Sequence, residues 1–264
     1  MDGMIDRCFM KELRKYLNRR VVMKRYICVL LICFIAIVMS ACERGQMNEL
    51  IQIDSDYKIT KQTPAEYEVV ESRFVDNDAA NDMAISINYP QINKLKNAKM
   101  EQYINEQIEN LALSVLNDFV SLQKMNIETT YSVTFASNNI ISIMFIVRSF
   151  HETQAYPLTR VKTLNIDVLT GERIKLKDIV RIDTNFVDSF SEIFKNQRKY
   201  EHGQSAELID DYIKDFISLE GFFTCDEDYN VDYCSYLTDD SIVISIAVPH
   251  SGGSYTFYEA KYSD

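Results

Sequence analysis

Tryptophan is absent from this chain of 264 residues, and histidine occurs only three times. Without Trp the usual stacking platform for sugar rings is missing, which leaves Tyr156, Tyr229, Tyr233, Tyr236, Tyr255 and Tyr258 as the aromatic side chains for such a role. His151, His202 and His250 stand far apart, and none has the HExxH spacing of a zinc hydrolase. His250-Ser251-Gly252-Gly253-Ser254 is not a GxSxG nucleophile loop, and no helix-forming pattern follows it. Asp226-Glu227-Asp228 lacks the twelve-residue ligand pattern of a calcium loop. Acidic pairs such as Asp210-Asp211 are numerous, but a glycosidase needs two carboxylates facing each other across a cleft, which a sequence does not place. No catalytic motif, metal set or cofactor is expected.

Basic charge is also scarce. The chain carries a net −11, with 28 Lys/Arg against 39 Asp/Glu. Eight of the Lys/Arg and only three of the Asp/Glu fall in residues 1–41, so that stretch is +5 and the remainder is −16. A surface this acidic disfavours nucleic acid and anionic lipid headgroups, whose phosphates need Lys/Arg clusters. It suits a cationic partner, or it serves solubility alone.

The one long apolar run, Ile27–Met39, has 13 residues. A spanning helix needs roughly 20; the apolar core of an export signal needs about 7–15. Lys11, Arg14, Lys15, Arg19, Arg20, Lys24 and Arg25 precede the run and would hold the N-terminus on the cytoplasmic side. Met23-Lys24-Arg25 is itself a good start of such a signal. Met39-Ser40-Ala41-Cys42 follows and resembles the lipobox of bacterial lipoproteins, with Met39 where Leu is preferred. That resemblance implies cleavage after residue 41 and a diacylglycerol thioether on Cys42. An uncleaved anchor or a buried apolar helix is the other reading. Residues 42–65 are polar and read as a tether.

Cys8, Cys28, Cys33 and Cys42 fall in the signal or the lipid anchor, which leaves Cys225 and Cys234 for the folded part. Two Cys in an oxidising compartment form a natural disulfide pair; two reduced thiols are the alternative. No His stands near enough in sequence to complete a zinc site with them.

Periodicity gives the fold class. Glu66–Phe74 and Met83–Tyr89 alternate as strands, with Pro90 expected to end the second. Met100, Ile104, Ile108, Leu111, Val115 and Phe119 form one apolar stripe, so Lys94–Lys124 reads as a long helix packed on a sheet. Ile127–Ala136 and Ile140–Phe150 flank a hairpin turn at Ser137-Asn138-Asn139, and Leu158–Val168 is a third strand of that meander. Phe186, Phe190, Ile193 and Phe194 mark a second helix. Leu208, Ile209, Tyr212, Ile213 and Phe216 mark a third beside it. Val231–Leu237, Ile242–Val248 and Ser254–Tyr262 close the chain as strands. Segregated helices and strands make the class α+β with mainly antiparallel sheet. The expected division is 66–175 and 176–264; whether these are two similar halves stays open, since no sequence repeat is evident.

Three local patterns carry a family resemblance. The first is Ile85-Ser86-Ile87-Asn88-Tyr89-Pro90-Gln91-Ile92, followed by Asn97 and Tyr103-Ile104-Asn105. The second is Leu164-Asn165-Ile166-Asp167-Val168-Leu169-Thr170-Gly171, leading to Ile174-Lys175-Leu176-Lys177-Asp178-Ile179. The third is Ile244-Ser245-Ile246-Ala247-Val248-Pro249-His250 with Gly252-Gly253. In order and spacing they resemble the extracytoplasmic domain shared by the lysozyme-sensing anti-sigma factor RsiV and the N-terminal region of the peptidoglycan deacetylase PdaC. The resemblance spans about residues 66–262. Gln154-Ala155-Tyr156-Pro157 departs from it, since the family often has a His there. Residues 1–26 are too short and basic to be a sigma-binding segment, and no deacetylase motif is present, so neither activity carries over. What the resemblance implies is the fold and a binding role at the cell wall.

Read from the residues, Asn88-Tyr89-Pro90 is a strand end, Thr170-Gly171 a turn with positive φ at Gly, Asp178 a cap for the segment after it, and Gly252-Gly253 a turn. The expected function is a non-catalytic, lipid-anchored binding or sensor module on the extracytoplasmic face of the cell membrane. Its ligand would be a basic protein such as lysozyme, or a cell-wall glycan. A cell-wall hydrolase, or an enzyme associated with deacetylation, using carboxylates in a cleft between the halves is the alternative. Cys42→Ala should abolish labelling of the chain by radioactive palmitate and block its shortening; unchanged labelling would show that the lipid is not on Cys42.

Overall fold

The computed structural model describes residues 64–119, 121–202, 217–227, 232–248 and 254–261. Their order is β1 (Glu68–Asp78), β2 (Met83–Asn93), α1 (Ala98–Leu113), β3 (Met125–Ala136), β4 (Ile140–His151), β5 (Leu158–Asp167), α2 (Leu176–Ile179), α3 (Thr184–His202), α4 (Leu219–Phe223), β6 (Tyr233–Leu237), β7 (Ser241–Ala247) and β8 (Tyr255–Lys261). The class is α+β with mostly antiparallel sheet. Five strands form one sheet in the order β1-β2-β3-β4-β5, and three form another in the order β6-β7-β8. β2 and β3 run parallel over Ala84–Ile87 and Asn126–Thr129, joined by a crossover through α1, while every other named pairing is antiparallel. The two sheets differ in strand number and in pairing.

The helix expected over Lys94–Lys124 is shorter. It begins at Ala98 because Asn97, extended at φ −99°, accepts the Met100 N–H on its side chain. It gives way to a 3₁₀ turn over Ser114–Asp118. There Ser114 Oγ bonds back to Leu111 O, and Asn117 and Asp118 are poor helix formers. The apolar stripe is nonetheless core: Ile104, Ile108, Ala112 and Val115 pack on Ile85, Ile87, Ile127, Ile143, Phe145 and Leu164.

β2 does not stop at Pro90. It continues to Asn93, with Pro90 opposite Glu71. Asn105 explains this. Its side chain takes both the N–H and the C=O of Ile92, at 2.8 and 2.9 Å, so those groups point away from β1. By the period of two, the Pro90 nitrogen points the same way, where β3 no longer pairs, and its missing N–H costs no ladder bond.

The second sheet is covered on one face by aromatics from the helices. Phe186, Phe190 and Phe194 of α3 meet Phe222 of α4 and Tyr258 of β8. Phe190 and Phe222 lie edge-to-face with centroids 4.7 Å apart. The second helix of the expected pair, over Leu208–Phe216, lies outside the described residues.

β6 is an edge strand, bonded to β7 on one side only. The backbone groups of Tyr233, Ser235 and Leu237 on its other side meet no strand among the described residues, yet four of them are bonded. Leu237 N–H donates to Ser142 Oγ at 2.9 Å, Ser235 O accepts from Asn165 Nδ2 at 3.0 Å, and Ser235 N–H donates to Asp226 Oδ1 at 2.6 Å. Tyr233 O accepts from Asp226 N–H at 3.4 Å. Ser142 and Asn165 face each other across β4 and β5, and Ser142 Oγ donates to Asn165 Oδ1 at 2.6 Å. Both alternate with Ile141, Ile143, Leu164 and Ile166, so their side chains leave the first sheet on the face opposite α1. Two side chains of the first sheet, together with Asp226 from the turn after α4, thus replace the missing neighbour strand of the second.

Asn165→Leu keeps a similar volume and removes both ends of this bridge. It should destabilise the fold by about 2–4 kcal/mol, because buried partners are left unpaired. Urea unfolding should show a lower midpoint at an unchanged m-value.

Candidate functional site

A groove of about 510 Å³ runs along the free edge of β5. One wall comes from α1 and the 3₁₀ turn, through Gln107, Asn110, Leu111, Ser114, Asn117 and Asp118. The other comes from Asp226, Glu227, Tyr233 and Cys234. β5 itself, through Arg160–Thr163, forms the floor.

The edge of β5 is covered at one end and open at the other. Ile174 N–H bonds to Asn165 O, and Asp167 N–H to Glu172 O, both at 2.9 Å, so residues 172–174 act as a short neighbour strand there. Odd-numbered residues of β5 therefore present their peptide groups outward. At Val161 the carbonyl meets only the weak Cys234 thiol donor, at 3.8 Å. The N–H groups of Val161 and Thr163 and the carbonyl of Thr163 find no partner among the described residues.

Charged groups flank this edge, and they neutralise one another. Asp118 Oδ2 lies 2.9 Å from Arg160 Nη1 and 3.5 Å from Lys162 Nζ. Burial pushes the Lys162 ammonium below its ordinary value, and Asp118 pulls it back. Lys162 also donates to Ser114 Oγ at 2.8 Å. Glu227 is bridged by Lys175 and Lys177, the latter at 2.6 Å, and the two ammonium groups hold its carboxyl below the usual range. Lys177 also sits 5.2 Å over the Phe223 ring.

Asp226 differs from these surface pairs. It is held at φ +65°, a conformation non-glycine residues rarely adopt. Its carboxylate accepts four hydrogen bonds: Ser235 N–H at 2.6 Å, Ser235 Oγ at 2.5 Å, Leu176 N–H at 3.0 Å and Thr163 Oγ1 at 3.2 Å. Burial pushes its pKa above the ordinary aspartate value, while the four donors pull it down. With all four partners donating, the lone pairs of the carboxylate are fully used; the two N–H groups can only donate, whereas the Ser235 and Thr163 hydroxyls can also accept. The arrangement joins β5, the start of α2 and β6 at one point.

Cys225 and Cys234, expected to form a disulfide, are separate thiols. The pleat of β6 is the reason. Cys225 lies in the aromatic core with Tyr233 and Leu237, whereas Cys234 alternates with those residues and points to the opposite face. Burial pushes the Cys225 thiol well up and the Cys234 thiol up to about 12, so neither supplies a thiolate near neutral pH.

The other residues singled out in the sequence do not converge on the groove. Tyr89 donates to Glu109 at 3.0 Å, tying β2 to α1. Asn88 Oδ1 is buried with no partner among the described residues. Gly171 turns the chain at φ +74°, and a Cβ there would lie 2.7 Å from Met100 Sδ and Tyr103 Cδ1, so α1 packs directly on this turn. Asp178 does not cap a following helix. It sits inside α2 and reaches back to Lys175 N–H at 2.8 Å. His151 is a strand-end residue whose Nδ1 meets the Thr153 hydroxyl. Cys42, Pro249, His250, Gly252 and Gly253 lie outside the described residues.

No family model matches the chain, and no curated protein is similar to it in sequence. Several solved structures are similar to it, two of them as follows. One is a member of the DUF3298 family from Bacteroides fragilis, 13% identical with a TM-score of 0.48, covering 76% of this chain and 92% of its own. The other is a DUF3298 family protein from Pseudomonas aeruginosa, 9% identical with a TM-score of 0.47, covering 76% of this chain and 93% of its own. A likeness this distant assigns no residue a role.

Asp226→Asn replaces an acceptor of four hydrogen bonds with a group that offers one oxygen. It should cost about 2–4 kcal/mol in urea unfolding, since buried donors lose their charged acceptor. Full stability in this variant would show that Asp226 is not the joint between the sheets.

Proposed function

We propose that this chain is a lipid-anchored, non-catalytic binding module on the extracytoplasmic face of the cell membrane, which captures a basic protein in the groove along β5. The feature that carries this reading is the groove itself, with peptide donors and acceptors uncovered on its floor and carboxylates on its walls already engaged by protein partners. An extended segment of a ligand can bond to a bare strand edge through its own backbone, and side chains along the walls then select it. Asp118 and Glu227 are each neutralised by two cations, and Asp226 is saturated by donors, so none is poised to take a proton from water. The −16 on residues 42–264 draws a cationic partner toward the domain over distances beyond contact. The lipobox supports the anchor and the location. The order of the three motifs supports a role at the cell wall, the setting in which the domain they resemble works. Lysozyme is the basic protein to test first, and a cell-wall glycan is the other ligand to offer.

One observation favours the enzyme alternative: Asp226 borders the groove, and burial raises its pKa in the direction a general acid requires. Under that alternative the intact chain hydrolyses or deacetylates wall fragments.

The test is capture by the detergent-solubilised full chain of lysozyme and of soluble wall fragments, at low and high salt. Lysozyme should be retained, and more weakly as salt rises. Asn110→Trp, at an exposed position on the groove wall, should fill the groove and reduce retention about tenfold without altering thermal unfolding. Turnover of wall fragments, or retention of neither ligand, would overturn the proposal.

A further inference from the structure

The five-stranded sheet has a second edge with no neighbour strand among the described residues, and its sequence fits a copy of itself. β1 is eleven residues long, pairs with β2 without a register shift, and contains no Pro, Gly or Lys. Those are among the devices by which edge strands ordinarily discourage further pairing. It also exposes apolar side chains: Val69, Val70 and Val75 are 38%, 41% and 50% exposed.

The outward-facing backbone groups of β1 follow from Asn105. That residue holds the Ile92 peptide groups away from β1, so even-numbered residues of β2 face away from it. Their register partners are Val69, Glu71, Arg73 and Val75. In an antiparallel pair, partners whose groups point away on one strand do so on the other. The peptide groups of Val69, Glu71, Arg73 and Val75 therefore point away from the sheet and meet no strand among the described residues.

We propose that this edge pairs antiparallel with β1 of a second copy, about a two-fold axis at Ser72. In that register Glu71 of each copy meets Arg73 of the other, and Val69 meets Val75. On the opposite face Val70 meets Phe74. All these relations occur twice, as a two-fold interface requires. The register is the only one near it that works. Sliding the copies so that the axis moves one residue places Glu71 on Glu71 in one direction and Arg73 on Arg73 in the other. Intermediate slips would put outward-facing peptide groups opposite inward-facing ones. Glu68 and Asp76 would come next and carry like charge, so the pairing ends at Val69 and Val75. Arg73 already donates to Ser86 Oγ, at 2.9 Å through Nη2 and 3.2 Å through Nε, which leaves other guanidinium donors for the second copy's Glu71. The result is one continuous sheet of ten strands built from two chains. Anchoring both copies in one membrane raises their effective concentration and favours a contact of this modest length.

Ser72 sits at the axis in a non-hydrogen-bonded pair, where Cα atoms approach to about 4.5 Å, within the range a disulfide spans. The full chain carrying Ser72→Cys, displayed on intact cells, should oxidise to a covalent dimer on non-reducing gels. Adding Glu71→Arg or Arg73→Glu should each cut the dimer about tenfold, since like charges then oppose twice. Co-expressing the two charge variants, each with Ser72→Cys, should restore the dimer, because every Arg then meets a Glu. Circular dichroism and thermal unfolding of the purified variants establish that each is folded. No covalent dimer, as when a preceding segment of the same chain covers the edge, overturns the proposal. So does a dimer indifferent to the charge changes.

Discussion

The strand β6 reaches the five-stranded sheet through side chains rather than through a backbone ladder, and the shape of the protein depends on that joint. Three side chains supply it. Ser142 and Asn165 come from adjacent strands of the first sheet, and Asp226 from the turn after α4. Apolar packing between sheets tolerates sliding, because dispersion is nearly indifferent to direction. A hydroxyl, an amide and a carboxylate aimed at three particular peptide groups of β6 are not indifferent. Ser142 Oγ shows how complete the joint is. It donates once to Asn165 and accepts from Leu237 N–H, with Thr134 Oγ1 3.0 Å away to fill its second lone pair. Such a network specifies one arrangement of the two sheets, provided every member is satisfied.

The same joint shapes the groove. Asp226 is pinned at positive φ so that its carboxylate reaches β6, β5 and α2 together, and that turn delivers Glu227 to Lys175 and Lys177. The wall of the groove is therefore a by-product of how the sheets are fastened. Along its floor, residues 172–174 cover one part of the β5 edge and stop before Thr163. The site is a strand edge left partly undressed. Its two thiols, Cys225 and Cys234, sit on opposite faces of β6, and burial pushes both up.

Much of the fold was legible in the residues. The period-two runs from Ile127 to Val168 became β3, β4 and β5 within two residues at each end, and the stripe from Met100 to Val115 became the sheet-facing side of α1 and of the 3₁₀ turn after it. What failed did so for local polar reasons. Pro90 looked like a strand end, because the amide of Asn105 that bonds the same edge of β2 lies thirteen residues downstream of Ile92. The helix looked too long, because a hydrophobic stripe does not register Ser114 bonding back to Leu111. The disulfide looked natural because two Cys remained for an oxidising compartment, whereas the pleat of β6 decides which way Cys234 points. The groove was hardly legible. Asp226 and Glu227 were visible only as two acids among 39, and nothing near Ser142 or Asn165 in the chain announces that they bond to residues 70 and 95 positions away.

That dependence also orders the assembly of the molecule. Ser142 and Asn165 come together only when β4 and β5 have zipped, so the final third of the chain has no berth until the first sheet exists. If the chain is exported as proposed, threaded through a membrane from its N-terminus, β1 to β5 emerge first and β6 to β8 last. Emergence and docking would then follow the same sequence, and the C-terminal strands would arrive to find their template already standing.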